Sequence, residues 1–201
     1  MSEDLVIAVL EARRRERERL AKALHDGAGQ FLTAAGLELD LVRMDAGGEL
    51  ASRIGAAQHT LEKAFDSVRR LSHEVHPDPV QKFGLAPAFG RLGDYFKRRW
   101  KGEWKIDAGI PADCGVEQGR GFYDIAELAL DNIERHSQAR RAWLAFAEVL
   151  EIGDDGRGFD PGAVRLGLGL LAMPVIARRA GLRYELSGGP GRGTIIQVGL
   201  L

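Results

Sequence analysis

The chain has 201 residues, of which 45% are apolar and 28% charged, and its formal net charge is −1. This balance is typical of a folded globular protein, and the lack of excess positive charge argues against nucleic acid or an anionic membrane as the main partner. The single cysteine, Cys114, excludes a disulfide framework and favours a reducing compartment, so we predict a cytoplasmic protein.

The first predicted element is an amphipathic helix that follows a charged run at residues 13–19. Apolar residues then recur in steps of three and four, which is the spacing of one helix face. They are Leu20, Leu24, Ala28, Phe31, Ala35, Leu39 and Val42. Residues 45–48, Asp-Ala-Gly-Gly, predict the end of this helix and a tight turn.

A second helix with a stricter repeat is predicted over residues 50–75. Its apolar positions alternate steps of four and three over more than three heptads, the pattern of coiled coils and four-helix bundles. They are Leu50, Ile54, Ala57, Leu61, Ala64, Val68, Leu71 and Val75. Pro77 and Pro79 end the helix. The two helices form a hairpin, and a homodimeric four-helix bundle is predicted because it buries the apolar stripe better than one hairpin does.

The composition changes after Val80, where glycine becomes frequent. Helices are predicted over residues 86–100, 122–136 and 170–180, and strands over residues 104–110, 143–152 (as a pair), 183–187 and 194–200. This mixture predicts an α/β sandwich. The fold class is therefore α+β, with a helical domain over residues 1–80 and a second domain over residues 81–201.

The first helix carries a candidate reactive site at His25, Asp26 and Gln30. Asp26 and Gln30 are four residues apart and share a helix face, beside which His25 projects. A carboxylate can hold the proton on one imidazole nitrogen and leave the other nitrogen free to attack, and an amide can orient a water molecule. These groups suit transfer of a phosphoryl group to a nitrogen; the alternative is a surface His–Asp pair.

Two glycine-rich stretches suit a nucleotide. Asp154 precedes Gly156 and Gly158; its carboxylate can accept from the amino group of a base, and the glycines let the backbone approach the ring. Gly167 and Gly169 open a helix, whose first N–H groups suit phosphates. The six-residue dinucleotide fingerprint is absent, so a Rossmann fold is excluded. Taken singly, the first stretch is equally compatible with an ordinary turn.

Polar residues near two element ends complete the candidate site. Asn132 can offer a neutral oxygen to Mg²⁺, and Arg135 with His136 can face phosphate oxygens. The alternative for these three residues is a capped, charged helix end. Thr194 leads into the last strand, where its hydroxyl suits a base pocket, the alternative being a hairpin turn.

The order of these motifs resembles the two-component sensor histidine kinases, and residues 24–30 resemble the H-box of the NarX/DesK type. Residues 16–26 (ERERLAKALHD) and 70–77 (RLSHEVHP) are similar to the same family, so the likeness covers residues 12–200. It implies that the second domain has the Bergerat-type ATP-binding fold shared with gyrase and Hsp90. It also implies ATP and Mg²⁺ as cofactors, a homodimer, and the receiver domain of a response regulator as partner.

The resemblance implies a role for each motif. His25 is the phosphoacceptor, Asp26 its general base or orienting acid, and Gln30 positions the water that dephosphorylates the response regulator. For the nucleotide it implies Asn132 as the Mg²⁺ ligand, Asp154, Gly156 and Gly158 at the adenine, Gly167 and Gly169 at the phosphates, and Thr194 closing the base pocket. The remaining histidines, His59, His73 and His76, match no catalytic position and are interpreted as solvated or structural.

The chain departs from the family pattern at two places. Leu128 stands where this subfamily carries a glutamate four residues before Asn132, and the adjacent Glu127 is rotated by about 100° around a helix. The stretch between His136 and Asp154 is short, so residues 143–152 must form a very tight hairpin or lose part of one strand.

Four candidate functions fit these motifs and departures to different degrees. The first is an ATP-dependent protein-histidine kinase that transfers its phosphoryl group to a response regulator. The second is a phosphotransfer or phosphatase scaffold that has lost efficient ATP use, which the two departures favour. An anti-sigma-type serine kinase of the same fold and a purely structural dimer fit less well with the His25 helix. No signal peptide or membrane segment is expected, because the best apolar run, residues 166–177, is short and broken by Pro174.

Overall fold

The computed structural model describes residues 3–74, 78–109, 114–159 and 167–201, apart from the side chains of His73, Glu74 and Ala108. The predicted helix end at Val75, His76 and Pro77, and the strand end at Ile110, lie outside these residues. The chain forms two compact units, one of Glu11–Pro77 and one of Asp78–Leu201 together with Met1–Leu10. Within the described ranges, no helix is both long and apolar enough to cross a membrane.

The helical unit is built from two long helical stretches. The first comprises α1 (Glu3–Lys22), a π-helical segment (Ala23–Gly29) and α2 (Gln30–Met44), and the second is α3 (Gly48–Glu74). Gly48, with a φ of 55°, occupies a left-handed conformation at the turn, which glycine adopts without strain. The predicted hairpin is therefore confirmed, whereas the π-helical segment was not predicted.

The two arms of the hairpin contact each other through the heptad positions of α3. Ile54 is buried, and Leu61 and Val68, one and two heptads later, are half-buried. A Cβ added to Gly36 of α2 would lie 3.4 Å from a methyl group of Leu61, so the helices approach closely at this point. Near the turn, Gln58 accepts a hydrogen bond from Arg43 at 2.9 Å and donates one to Asp40 at 2.6 Å, where both α2 residues face α3.

The second unit is a five-stranded mixed sheet with helices. The helices are α4 (Pro79–Phe83), α5 (Leu85–Arg99), α6 (Val116–Asn132), which continues into a second π-helical segment (Ile133–Ser137), and α7 (Leu168–Arg179). The strands are β1 (Glu103–Ala108), β2 (Arg141–Phe146), β3 (Val149–Asp154), β4 (Leu182–Gly188) and β5 (Thr194–Leu200). Their spatial order is β1-β2-β3-β5-β4, with β1 parallel to β2 and every other pair antiparallel.

Large apolar side chains fill the space between this sheet and its helices. Phe146 of β2 lies 5.7 Å from Phe89 of α5 and 4.8 Å from Phe122 of α6, measured between ring centroids. Along β2, buried residues alternate with exposed or half-buried ones from Arg141 to Phe146, as expected of a sheet covered on one face. The predicted α/β sandwich and the α+β class are confirmed.

The short connection noted in the sequence is a tight hairpin. Only Ala147 and Glu148 separate β2 from β3, and each strand keeps six residues. The register pairs Phe146 with Leu150 at the turn and Ala142 with Asp154 at the far end. Neither strand is therefore shortened, and Asp154 ends β3 opposite the start of β2.

The α/β unit begins with a buried ion pair. Asp78 is buried, and its carboxylate accepts a hydrogen bond from the Gln81 backbone N–H, capping α4. The same carboxylate forms an ion pair with Arg120 of α6. Removing one partner of a buried pair leaves an uncompensated charge, so this contact fixes the start of the unit to α6.

The first residues of α1 also belong to the α/β unit. Val6 is 2% exposed and forms part of the core, and Ile7 and Leu10 pack against that core. Glu3 accepts a hydrogen bond from Arg178 of α7 at 2.5 Å. The helix α1 therefore contributes its first turns to one unit and its remaining residues to the other.

Candidate phosphoacceptor and nucleotide sites

Asp154 is a buried carboxylate at the end of a central strand. It is 3% exposed and accepts a hydrogen bond from the Gly156 N–H at 2.8 Å. Thr194, its register partner on β5, hydrogen-bonds to the same carboxylate through its side chain. Burial raises the pKa of Asp154 above its ordinary value, and the hydrogen bonds from Gly156 and Thr194 oppose that shift. A buried carboxylate of this kind favours a ligand that donates hydrogen bonds.

The glycines after Asp154 permit close backbone contacts. A Cβ on Gly156 would overlap the carbonyl oxygen of Ser137. Gly158 has a φ of 62°, and a Cβ there would overlap the carbonyl oxygen of Gly189. The loop is therefore closely packed on both sides, and no other residue type fits these two positions without rearrangement.

Asn132 lies against the first turn of α7. A Cβ on Gly169 would be 3.1 Å from both the oxygen and the nitrogen of the Asn132 amide. The Asn132 Nδ2 atom is buried and has no hydrogen-bond partner among the described residues. A buried NH₂ donor of this kind beside a helix N-terminus suits a phosphate oxygen, whereas Mg²⁺ would bind the oxygen of the same amide. Gly167 is exposed immediately before this turn.

Arg135 and His136 lie in the second π-helical segment and are both exposed. The Arg135 guanidinium is 3.0 Å from the Asp131 carboxylate, one turn earlier. In this structure Arg135 therefore faces Asp131, and it would have to leave that carboxylate to reach a phosphate. His136 lies nearer the Asp154 loop in the chain, since it directly precedes Ser137, which contacts that loop.

Leu128 lies on the buried side of α6, one turn before Asn132. It is 8% exposed and belongs to the hydrophobic core, whereas Glu127 is half-buried. The helix is regular from Val116 to Asn132, and the change to π-helix comes only after Asn132. No register shift therefore brings Glu127 into the place of Leu128.

His25, Asp26 and Gln30 are all exposed on the helical unit. His25 and Asp26 lie within the first π-helical segment, and Gln30 is the first residue of α2. Such segments often occur at functional sites in helices. Thr33 donates a hydrogen bond from its hydroxyl to the Gly29 carbonyl at 2.9 Å, where the π-helical segment ends. The imidazole is thus open to an approaching substrate.

Comparison with known proteins agrees with this arrangement. The profile of the family described as histidine kinase matches residues 16–80, which include His25, Asp26 and Gln30. Curated sensor histidine kinases align with 76% and 86% of the chain. Residues 16–80 therefore belong to the histidine kinase family, and the chain as a whole is similar to two-component sensor histidine kinases. The predicted NarX-type relationship is confirmed.

Two relatives and one solved structure illustrate how far the likeness extends. The chain is 32% identical to MctS of Rhizobium johnstonii over 76% of this chain and 35% of that protein. It is 31% identical to NarS of Mycobacterium tuberculosis over 86% of this chain and 40% of that protein. The chain thus spans about a third to two fifths of these relatives' lengths.

The solved structure shares the fold. The histidine kinase domain of the blue-light activated histidine kinase of Erythrobacter litoralis superposes with a TM-score of 0.53, at 18% identity, over 83% of this chain and 94% of that domain. Its likeness supports the architecture of a helical region followed by the α/β unit.

Two polar residues of the histidine kinase were not singled out by sequence analysis. Ser137 is buried; its hydroxyl donates to the Ile133 carbonyl at 2.7 Å and accepts from the Ala139 N–H at 3.0 Å. Asp155 binds the start of β2 through three hydrogen bonds. The adjacency of Asp155 to Asp154 was the available signal, but only the first acid of the pair received a role.

Proposed function

We propose that this histidine kinase phosphorylates its own His25 with ATP and passes the phosphoryl group to an aspartate on the receiver domain of a response regulator. Two groups of the α/β unit carry the proposal. One is the buried carboxylate of Asp154, and the other is the Asn132 amide beside the first turn of α7, whose Nδ2 has no hydrogen-bond partner among the described residues. One group suits the amino group of a base and the other suits phosphates, as a nucleotide requires.

In the proposed transfer, His25 and Asp26 of the helical unit have separate tasks. One imidazole nitrogen of His25 attacks the γ-phosphorus, forming an N–P bond while the bond from phosphorus to the leaving oxygen of ADP breaks. Asp26 holds the proton on the other nitrogen and stabilises the developing imidazolium charge. The receiver aspartate then attacks the phosphorus and the N–P bond breaks. Mg²⁺, with Asn132 as a ligand, would neutralise phosphate charge.

Incorporation of label from γ-labelled ATP tests this function directly. The wild type should become labelled with Mg²⁺ present, and Leu128→Glu should be labelled at least as well if the missing acid limits the reaction. Because Leu128 is buried, Leu128→Gln serves as the matched neutral control, and circular dichroism checks that both variants fold. A wild type that takes up no label would contradict the proposal.

A second function is favoured by the burial of Leu128 in the core. A chain without the usual acid near Asn132 would bind nucleotide but use it poorly, leaving His25 and Gln30 to serve as a phosphotransfer or phosphatase scaffold. The pattern expected for this function is no label on the wild type together with label on Leu128→Glu. The intact Asp154 cluster opposes it, because that cluster suits nucleotide binding.

Replacement of Gln30 separates the kinase and phosphatase steps. Gln30→Ala should leave the labelling of His25 unchanged and slow the dephosphorylation of a phosphorylated receiver domain by about tenfold or more, because an orienting hydrogen bond to water is lost. Both rates can be followed by loss and gain of label. Equal phosphatase rates in the wild type and Gln30→Ala would remove Gln30 from the mechanism.

We also propose that the hairpin forms a homodimeric four-helix bundle. On α3, the heptad positions between those that contact α2 are all exposed: Leu50, Ala57, Ala64 and Leu71. On the first arm of the hairpin, Phe31 is 78% exposed although it belongs to the predicted apolar stripe. Apolar positions at heptad spacing that one hairpin leaves open are the surface that a second hairpin would cover.

Adjacent alanines on α3 allow a matched test of the dimer. Ala57→Glu should weaken self-association about tenfold or more, because a carboxylate without a partner is costly to bury. Ala56→Glu is the control, since Ala56 is also exposed but lies about 100° around the helix. Analytical ultracentrifugation reports the dimer fraction, and identical behaviour of the two variants would contradict the proposed interface.

A further inference from the structure

Asp155 connects the loop after β3 to the start of β2. One carboxylate oxygen accepts hydrogen bonds from the backbone N–H groups of Arg140 at 2.8 Å and Arg141 at 2.7 Å. The other oxygen accepts from the Arg141 guanidinium at 2.9 Å. These donors, the Arg141 backbone first, lower the pKa of Asp155 to about 2. The Asp155 N–H in turn donates to the Arg141 carbonyl at 3.1 Å, so the two segments bind each other in both directions.

The segment held by Asp155 is also attached to the same loop at its other end. Ser137 accepts a hydrogen bond from the Arg157 N–H at 2.8 Å, and its carbonyl oxygen lies so close to Gly156 that a Cβ would overlap it. Between these attachments, Gln138 has a φ of 54°, a conformation that is unusual for a residue other than glycine. Residues 137–141 are therefore fixed against residues 155–157 at two points.

The fixed segment lies between the two halves of the candidate nucleotide site. Asn132 and His136 precede it on the helix, and Asp154 directly precedes Asp155. Asp154 itself is held independently of Asp155, by Gly156 and Thr194. A change at Asp155 should therefore move the helix end more than it moves the base-binding carboxylate.

We infer that Asp155 is a positioning residue that holds the phosphate-side residues Asn132 and His136 at a fixed distance from the base-side residue Asp154. This inference rests on the proposed nucleotide site. It assigns Asp155 no contact with the nucleotide. Asp155 would act on the nucleotide site through the backbone of residues 137–141. Because the Arg141 side chain is exposed, its ion pair with Asp155 should contribute little to holding that backbone in place.

The affinities for ADP, which has phosphates, and for adenosine, which has none, distinguish a positioning role of Asp155 from a general loss of structure. In Asp155→Ala, the Kd for ADP with Mg²⁺ should rise about tenfold, as when a residue that orients a ligand-binding group is removed, whereas the Kd for adenosine should change less than about twofold. Arg141→Ala keeps both backbone hydrogen bonds and should resemble the wild type. Glu148→Ala, which removes an exposed carboxylate at the nearby turn, is the control.

Hydrogen exchange of the free protein supplies a measurement that needs no nucleotide. The amides of Arg140 and Arg141 should exchange faster in Asp155→Ala than in Glu148→Ala. Equal losses of ADP and adenosine affinity, or an effect of Arg141→Ala as large as that of Asp155→Ala, would overturn the inference. A wild type that binds neither ligand would overturn the proposed nucleotide site itself, whatever the exchange rates show.

Discussion

His25→Ala should abolish the acid-labile phosphorylation of this histidine kinase completely. The reason is chemical, because the alanine side chain has no nitrogen that can attack the γ-phosphorus. His25 is exposed, so its removal should change the free energy of unfolding by less than about 0.5 kcal/mol. The measurement is retention of label from γ-labelled ATP after alkaline and acidic washes.

His59→Ala is the matched control for this experiment. His59 is also an exposed helical histidine on the same unit, and its imidazole lies 3.7 Å from the Glu62 carboxylate, a neighbour similar to Asp26. Its replacement should leave the labelling intact. Label that persists in His25→Ala, or that is stable to acid as phosphoserine is, would sink the assignment and favour a serine kinase of the same fold.

Asp154→Asn should raise the Kd for ATP and ADP by about 100-fold without unfolding the protein. The asparagine oxygen can still accept from the Gly156 N–H, but its NH₂ group would then face the amino group of the base, donor against donor. Isothermal titration calorimetry measures the affinity. Asp107→Asn, an exposed acid on β1, should bind as the wild type does.

The free energy of unfolding of Asp154→Asn at neutral pH should be equal to or greater than that of the wild type. Because burial raises the pKa of Asp154, the folded state holds this proton more tightly than the unfolded chain, and the ionised form costs stability at pH values above the raised pKa. At pH 7 the variant should therefore be at least as stable as the wild type in urea. The difference should shrink as the pH falls through the raised pKa, and a variant that is less stable at pH 7 would contradict this explanation.

The sequence predicted the order of elements well because their periodicities are strong. The heptad repeat of α3 is the clearest of them: Ile54, Leu61 and Val68 are buried or half-buried, and the heptad positions between them are exposed. The π-helical segments were not predicted, because one extra residue in a helical turn leaves no compositional mark. The segment at Ala23–Gly29 shifts the helical phase between α1 and α2, so a single stripe from Leu20 to Val42 does not describe one face.

The candidate nucleotide site was predicted through side-chain chemistry, and its backbone contacts were not. Asp154 and Asn132 could be selected because a carboxylate and an amide have obvious partners in a nucleotide. Asp155 acts on backbone N–H groups fourteen and fifteen residues earlier in the chain, and only the pairing of β2 with β3 brings those groups together. The docking of Val6 onto the α/β core likewise depends on a contact between distant parts of the chain.

The position of β5 has a consequence for how the chain is made. β5 lies between β3 and β4, although it follows both in sequence, and Thr194 pairs with Asp154 across forty residues of chain. The helical hairpin is synthesised before the sheet, whereas β3 lacks a partner on one edge and β4 lacks its partner strand until β5 is added. A nascent chain that stops before Thr194 should therefore expose these unpaired strand edges to chaperones and fail to retain nucleotide.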